Sequence, residues 1–193
     1  MRINVIRFPI VAAVLGATGL ASCTSVEYSE YYEVGEPIHA IVVHVDRGHL
    51  EVVGANIDVV TVERHIDGWE GNLDLETRVV DGVLYIDARC EGVLRCEVDS
   101  LITVPAGIDV EASVDLGDMT VTGLQGIADL SVNDGTLVAW QLAPIEGSLT
   151  VGVGSIDLEM LEEAPLSVAI GQGNVALVGE TALVDVLGAD ADG

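Results

Sequence analysis

The chain has 193 residues, of which 50% are apolar and only 4% aromatic, with 22 glycines and a single Phe. That make-up suits one domain whose core is small and branched aliphatics cut by many turns, and it argues against a helical bundle. The formal charge is −25, from 32 acidic residues against seven arginines and no lysine; nucleic acid and anionic headgroups repel such a polyanion and are excluded as direct partners of the folded domain. A lysine-free acidic surface also suits solubility in high salt, as does the compositional bias of a genome.

Residues 1–22 carry Arg2 and Arg7, then an apolar run from Phe8 to Leu20, and no acid occurs before Glu27. This reads as the basic and apolar regions of a secretory signal peptide, too short for a membrane-spanning helix. It closes on Leu20-Ala21-Ser22-Cys23, which resembles a bacterial lipobox. That resemblance implies cleavage before Cys23 and acylation of it, so that the domain is exported and held at a membrane without a transmembrane helix. Thr24 follows the cysteine, which by enterobacterial sorting points to the outer membrane. Loss of the two arginines would take the charge from −25 to −27.

Residues 23–37 are expected to form a short tether, a solvated leader into the first strand, with pairing of its end to the domain as the alternative; they hold Tyr28, Tyr31 and Tyr32 and a glutamate at every third place from Glu27 to Glu36. From residue 38 the pattern is of strands: 38–45 and 49–53 around Asp46-Arg47-Gly48, then 59–65, 73–80 and 83–88, the last two joined by the hairpin dipeptide Asp81-Gly82. Cys90 and Cys96, the pair left once Cys23 carries lipid, are expected to close a small loop as a disulfide. Free thiols or a metal site are the alternatives, with zinc disfavoured by the five intervening residues and the lack of nearby histidine. A further strand runs from Ser100 to Val104.

Residues 108–188 repeat. Gly117, Gly135, Gly154 and Gly173 recur at intervals of 18, 19 and 19. Five and three places before each glycine, and two and four after it, every residue is apolar: Ala112, Val114, Met119 and Val121 in the first copy, Val168, Ile170, Val175 and Leu177 in the last. Columns two apart are the period of a strand. Each copy therefore reads as two short strands about a glycine turn, stacked on the next copy. Gly48 fits the same frame as a fifth copy, with Val43, Val45, Leu50 and Val52 on the apolar columns, and Gly82 keeps part of it. The expected fold is all-β, a parallel β-solenoid with coils of about 18–19 residues, irregular over 38–107 and regular over 108–188.

The Val104-Pro105-Ala106-Gly107 turn, the turns Leu116-Gly117-Asp118, Asn133-Asp134-Gly135-Thr136, Gly152-Val153-Gly154-Ser155 and Gly171-Gln172-Gly173-Asn174, and the Gly123-Leu124-Gln125-Gly126 bend resemble those of the bacterial putative-adhesin β-solenoids. These are extracytoplasmic relatives of the head-GIN and auto-transporter-adhesin-like domains. The resemblance spans about 38–188 and implies fold and an envelope setting; it brings no catalytic residues. The chain departs from that family's Gly-Ser-Gly-Asp turns at several coils.

Chemistry is thinly supplied. After Cys96 there is no Lys, Arg or His, so serines such as Ser131 and Ser155 lack a base in their half of the chain. Carboxylate pairs Asp115/Asp118 and Asp157/Glu159 are what a glycosidase would use, and they are also what a solvated acidic face looks like. His39, His44, His49 and His65 all fall early; His44 and His49 flank the Gly48 turn, a pair to consider for a metal. Calcium would find Asp115, Asp118, Asn133 and Asp134, though the nonapeptide of calcium-binding rolls is absent. Trp140 stands one place past an apolar column, and packing at a coil corner is expected of it. The sequence thus describes a cell-envelope lipoprotein, not an enzyme and without a required cofactor, whose adhesin-like domain binds a protein or glycan; a structural or accessory envelope protein is the alternative, a carbohydrate-active enzyme the third.

Overall fold

The computed structural model describes residues 6–9, 25–69, 71–91, 96–161, 165–179 and 184–188, so Cys23 and most of the leader before it lie outside the described residues. Among the described residues twelve strands make one sheet system: β1 (Ile6–Pro9), β2 (Ser25–Val34), β3 (Ala40–Ala55), β4 (Val60–Trp69), β5 (Leu73–Val80), β6 (Val83–Cys90), β7 (Cys96–Pro105), β8 (Asp109–Thr122), β9 (Ala128–Leu142), β10 (Gly147–Met160), β11 (Leu166–Gly179) and β12 (Val184–Gly188). The protein is all-β, as its composition predicts.

From β8 onward each strand pairs in parallel with the next. Val110 lies beside Ala128, 18 residues on, and Ala128 beside Gly147, 19 residues on, so like columns stack on like. The predicted inward columns are the core: Ala112, Val114, Met119, Val121, Leu130, Val132, Leu137, Ala139, Leu149, Val151 and Ile156 are buried. β3 stacks directly on β8, Gly48 on Gly117, although 69 residues separate them. The fifth copy is therefore real, and it is the one next to β8.

The glycines do not end strands. Each of β8 to β11 runs unbroken through its glycine, whose φ lies between +139° and +150°. The expected two short strands per copy are one long strand with a corner. An extended backbone at positive φ turns the chain while leaving its ladder bonds in place, and only glycine takes that conformation without strain.

Beneath β3 the array forks. The first half of β3 pairs in parallel with β6, and the second half with β7. Antiparallel pairing then extends each limb, β6 to β5 and β7 to β4 to β2. Gly82, which kept the repeat's pattern, is not a corner; with Asp81 it makes the β5–β6 hairpin turn, both at positive φ. The stretch 25–34, expected as a leader, is strand throughout, with Tyr32 and Val34 in the core.

β6 and β7 together make one rung with a surplus at its corner. Val45 faces Ala88 and Leu50 faces Ser100, so five steps along β3 are matched by twelve along β6–β7. The predicted Cys90–Cys96 disulfide exists, with a Cα–Cα separation of 5.8 Å, and it shortcuts the surplus. Asp46 Oδ2 accepts the Cys90 N–H at 2.7 Å and Asp99 Oδ1 the His49 N–H at 2.8 Å, replacing ladder bonds there. For so short a loop, Cys90→Ser/Cys96→Ser should cost about 2 kcal/mol and lower the melting temperature by roughly 4–8 °C. A melt unmoved by reductant or by the double substitution would show that the corner holds without its clasp.

Candidate functional face

Side chains alternate inward and outward along each strand, so the outward residues of successive rungs form rows across the sheet. One row runs Glu76, Asp87, His44, Ser113, Ser131, Thr150. The next, nearer the corner, holds Asp46 opposite Asp115 and then Asn133. No basic residue follows Cys96, so the regular rungs present no cation, and their polar outward residues are hydroxyls, amides and carboxylates.

Where β3 meets β8 the rows make a polar group. His44 Nε2 is 2.8 Å from Asp46 Oδ1, and His44 Nδ1 is 2.9 Å from Ser113 Oγ. Donor atoms of His44, Asp46 and Asp115 all lie within 4.8 Å of one another, the first two half-buried and Asp115 exposed. On the neighbouring β6, Arg89 is bound by Asp87 through Nε at 3.1 Å and Nη2 at 2.5 Å. Hydrogen bonding to Asp87, then its charge, raises the Arg89 pKa, and the carboxylates of Asp74 and Asp46 add to this.

The candidates picked from the sequence are scattered. Asp115 and Asp118 stand on opposite sides of the Gly117 corner, and Asp118 Oδ1 accepts the Thr136 N–H at 2.9 Å. Asn133 lies beside Asp115, and Asp134 beside Leu116. Asp157 and Glu159 both face outward on β10. His49 is past the Gly48 corner beside Asp118, away from the group His44 joins, so the suggested His44–His49 pair gives way to His44–Asp46. His65 is 3.2 Å from Ser29 Oγ. Trp140 does not pack at a corner: β9 bulges there, with Gln141 at φ 54°, and the indole is 52% exposed. An open groove of ≈ 460 Å³ between two turns is lined by Asp129, Glu146 and Ser148 among others, Ser148 donating to Asp129 at 2.7 Å. Both acids are exposed.

No family model and no curated protein matches the chain. Solved structures do. One described as a putative cell adhesion protein from Clostridium sporogenes aligns with TM-score 0.52 at 12% identity, over 84% of this chain and 100% of that one. Putative adhesins from Parabacteroides distasonis (TM-score 0.31, 16% identity, 83% of this chain and 94% of that one) and Bacteroides fragilis (TM-score 0.31, 15% identity, 86% and 96%) also align. The first establishes a shared fold.

Two polar features escaped the sequence reading. Asp46 was seen only as a turn residue; its place opposite Asp115 follows from aligning Gly48 with Gly117. Between the two limbs of the fork, Arg64 is 2% exposed and donates to Glu30 Oε1 at 3.1 Å and Thr77 Oγ1 at 3.0 Å, with Tyr32 below its guanidinium. Burial raises the Tyr32 pKa, and Arg64 and Thr77 oppose it. Nothing in the local sequence marks Arg64 as buried; its partners arrive from strands 34 and 13 residues away.

Proposed function

We propose that this is an exported envelope protein, tethered through acylated Cys23, whose stacked rungs are the coils of a parallel β-solenoid and whose outer rows bind a protein or glycan in adhesion. The observation that carries the reading is the in-register polar face itself: rows of Ser, Thr, Asn and Asp repeated rung by rung on a rigid stack, the kind of surface that contacts a ligand along its length. The fold shared with the Clostridium sporogenes cell adhesion structure supports it. Among the described residues no helix is long and apolar enough to cross a membrane, so attachment rests on lipid in this reading. Cleavage before Cys23 would also remove β1, which pairs with β2 through Ile6–Pro9, and leave β2 as an edge guarded by the exposed acids Glu27 and Glu33.

A second reading, end-to-end association in an accessory role, is favoured by the far end. Among the described residues β12 covers only Leu166–Ile170 of β11, and Leu177, on an inward column, is 37% exposed. Both readings meet one experiment. Produced in a bacterial host, the full-length protein should fractionate with membranes and increase attachment of the cells to host surfaces or glycans, while Cys23→Ser should move to the soluble fraction and abolish attachment. Membrane-bound Cys23→Ser overturns the anchor. Attachment no greater than that of the host without the protein overturns adhesion, and recovery of one envelope protein as bound partner supports the accessory role.

A further inference from the structure

We infer that His44, Asp46 and Asp115 form a binding site for a zinc-like divalent transition-metal ion. His44 is fixed from both ring nitrogens, Nε2 lying 2.8 Å from Asp46 Oδ1 and Nδ1 2.9 Å from Ser113 Oγ. One imidazole nitrogen and two carboxylates thus converge from β3 and β8, their donor atoms within 4.8 Å of one another, which is the donor set of a transition-metal site.

The surroundings are arranged for the metal. Ligating histidine is normally oriented by a bond from its other nitrogen, and ligating carboxylates by bonds to theirs. Ser113 supplies the first, and the Cys90 N–H, bonded to Asp46 Oδ2 at 2.7 Å, supplies the second. Asp115 arrives from β8 as the third ligand, its donor atom within 4.8 Å of the others, and it is exposed and free to close the remaining gap. Arg89, whose charge reaches Asp46, makes its hydrogen bonds to Asp87 and leaves the Asp46 oxygens to His44 and the Cys90 N–H. One imidazole nitrogen with two carboxylates suits zinc and its neighbours, whereas calcium seeks oxygen alone. Three protein ligands leave a fourth position facing outward, open to water or to an anionic group of a ligand. The disulfide thereby acquires a second role, since it fixes the Cys90 amide that orients Asp46.

Equilibrium dialysis of the full-length protein, without a polyhistidine tag, against Zn²⁺ in a large excess of Mg²⁺ tests this. One equivalent of zinc should bind. His44→Gln should weaken that equivalent at least tenfold and Asp115→Asn severalfold, while His49→Gln, past the corner, should leave it unchanged; melts in chelator should show all three variants folded. Calcium at the same concentration as zinc should not displace it. The site is refuted if His44→Gln binds zinc as the parent does, if His49→Gln loses it equally, or if calcium displaces it, each of which marks diffuse capture by an acidic surface.

Discussion

Gly154→Ala should prevent folding or cost more than about 3 kcal/mol, while Gly107→Ala should be close to silent. A Cβ on Gly154 would stand 1.7 Å from the carbonyl oxygen of Gly135, at φ +143°. Both faults have the same origin, because the corner turns each strand at positive φ and aims the missing side chain at the rung before it. The atom in the way is backbone already committed to the parallel ladder, so it has no rotamer to escape into, and relief requires the rungs to part. Gly107, by contrast, has nothing within 4 Å of its virtual Cβ. Gly173→Ala meets Gly154 O at the same 1.7 Å, but beyond Ile170 β11 has no described strand on its outer side and is freer to lift. Its loss should be smaller than that of Gly154→Ala, as nearest-neighbour coupling of stacked units requires. Urea unfolding followed by far-UV circular dichroism orders the three; equal midpoints for the Gly154 and Gly107 variants would remove the column as a constraint.

The same stacking explains what the sequence discloses. Like residues recur at 18 or 19 because each rung must offer its neighbour the same shape, so the inward columns could be read one by one and all are buried until the array thins at Val175 and Leu177. A glycine between apolar alternations looks the same whether it ends a strand, as Gly82 does in a hairpin, or bends one, as Gly117 does. Only the neighbouring rung distinguishes them. The forked end was opaque for a related reason: β2, β4 and β7 pair antiparallel across long separations, with no repeat to register them.

The metal-type group was half visible. Aligning Gly48 with Gly117 already puts His44 over Ser113 and Asp46 over Asp115. What the alignment lacked was the knowledge that β3 touches β8 directly, with 56–108 folded to the other side; the obvious assumption puts that segment between them. Sequence reasoning therefore paired His44 with His49, its neighbour along the chain, although the corner at Gly48 carries the two apart.

Arg64→Met should cost roughly 3–5 kcal/mol, and adding Glu30→Leu should restore most of that loss. Arg64 is nearly inaccessible and the side chain of Glu30 is only 8% exposed, so removing the guanidinium strands a carboxylate between the two limbs of the fork. Removing both leaves Tyr32 Oη and Thr77 Oγ1 still bonded at 2.9 Å and replaces two desolvated charges with apolar packing. The pair is poorly compensated as it stands: among the described residues Arg64 Nε and Ser100 Oγ, buried opposite each other on β4 and β7, have no partner. Its value lies in register. Glu30, Arg64 and Ser100 face one another across three antiparallel strands, and a one-residue slip of β2 on β4 would turn Glu30 out of the core and leave Arg64 unpaired. The double variant should accordingly regain its denaturation midpoint yet show faster amide exchange along 28–34 than the parent. A double variant as unstable as Arg64→Met alone would mean that the loss comes from the contacts Arg64 makes with Tyr32 and Thr77, not from the stranded charge.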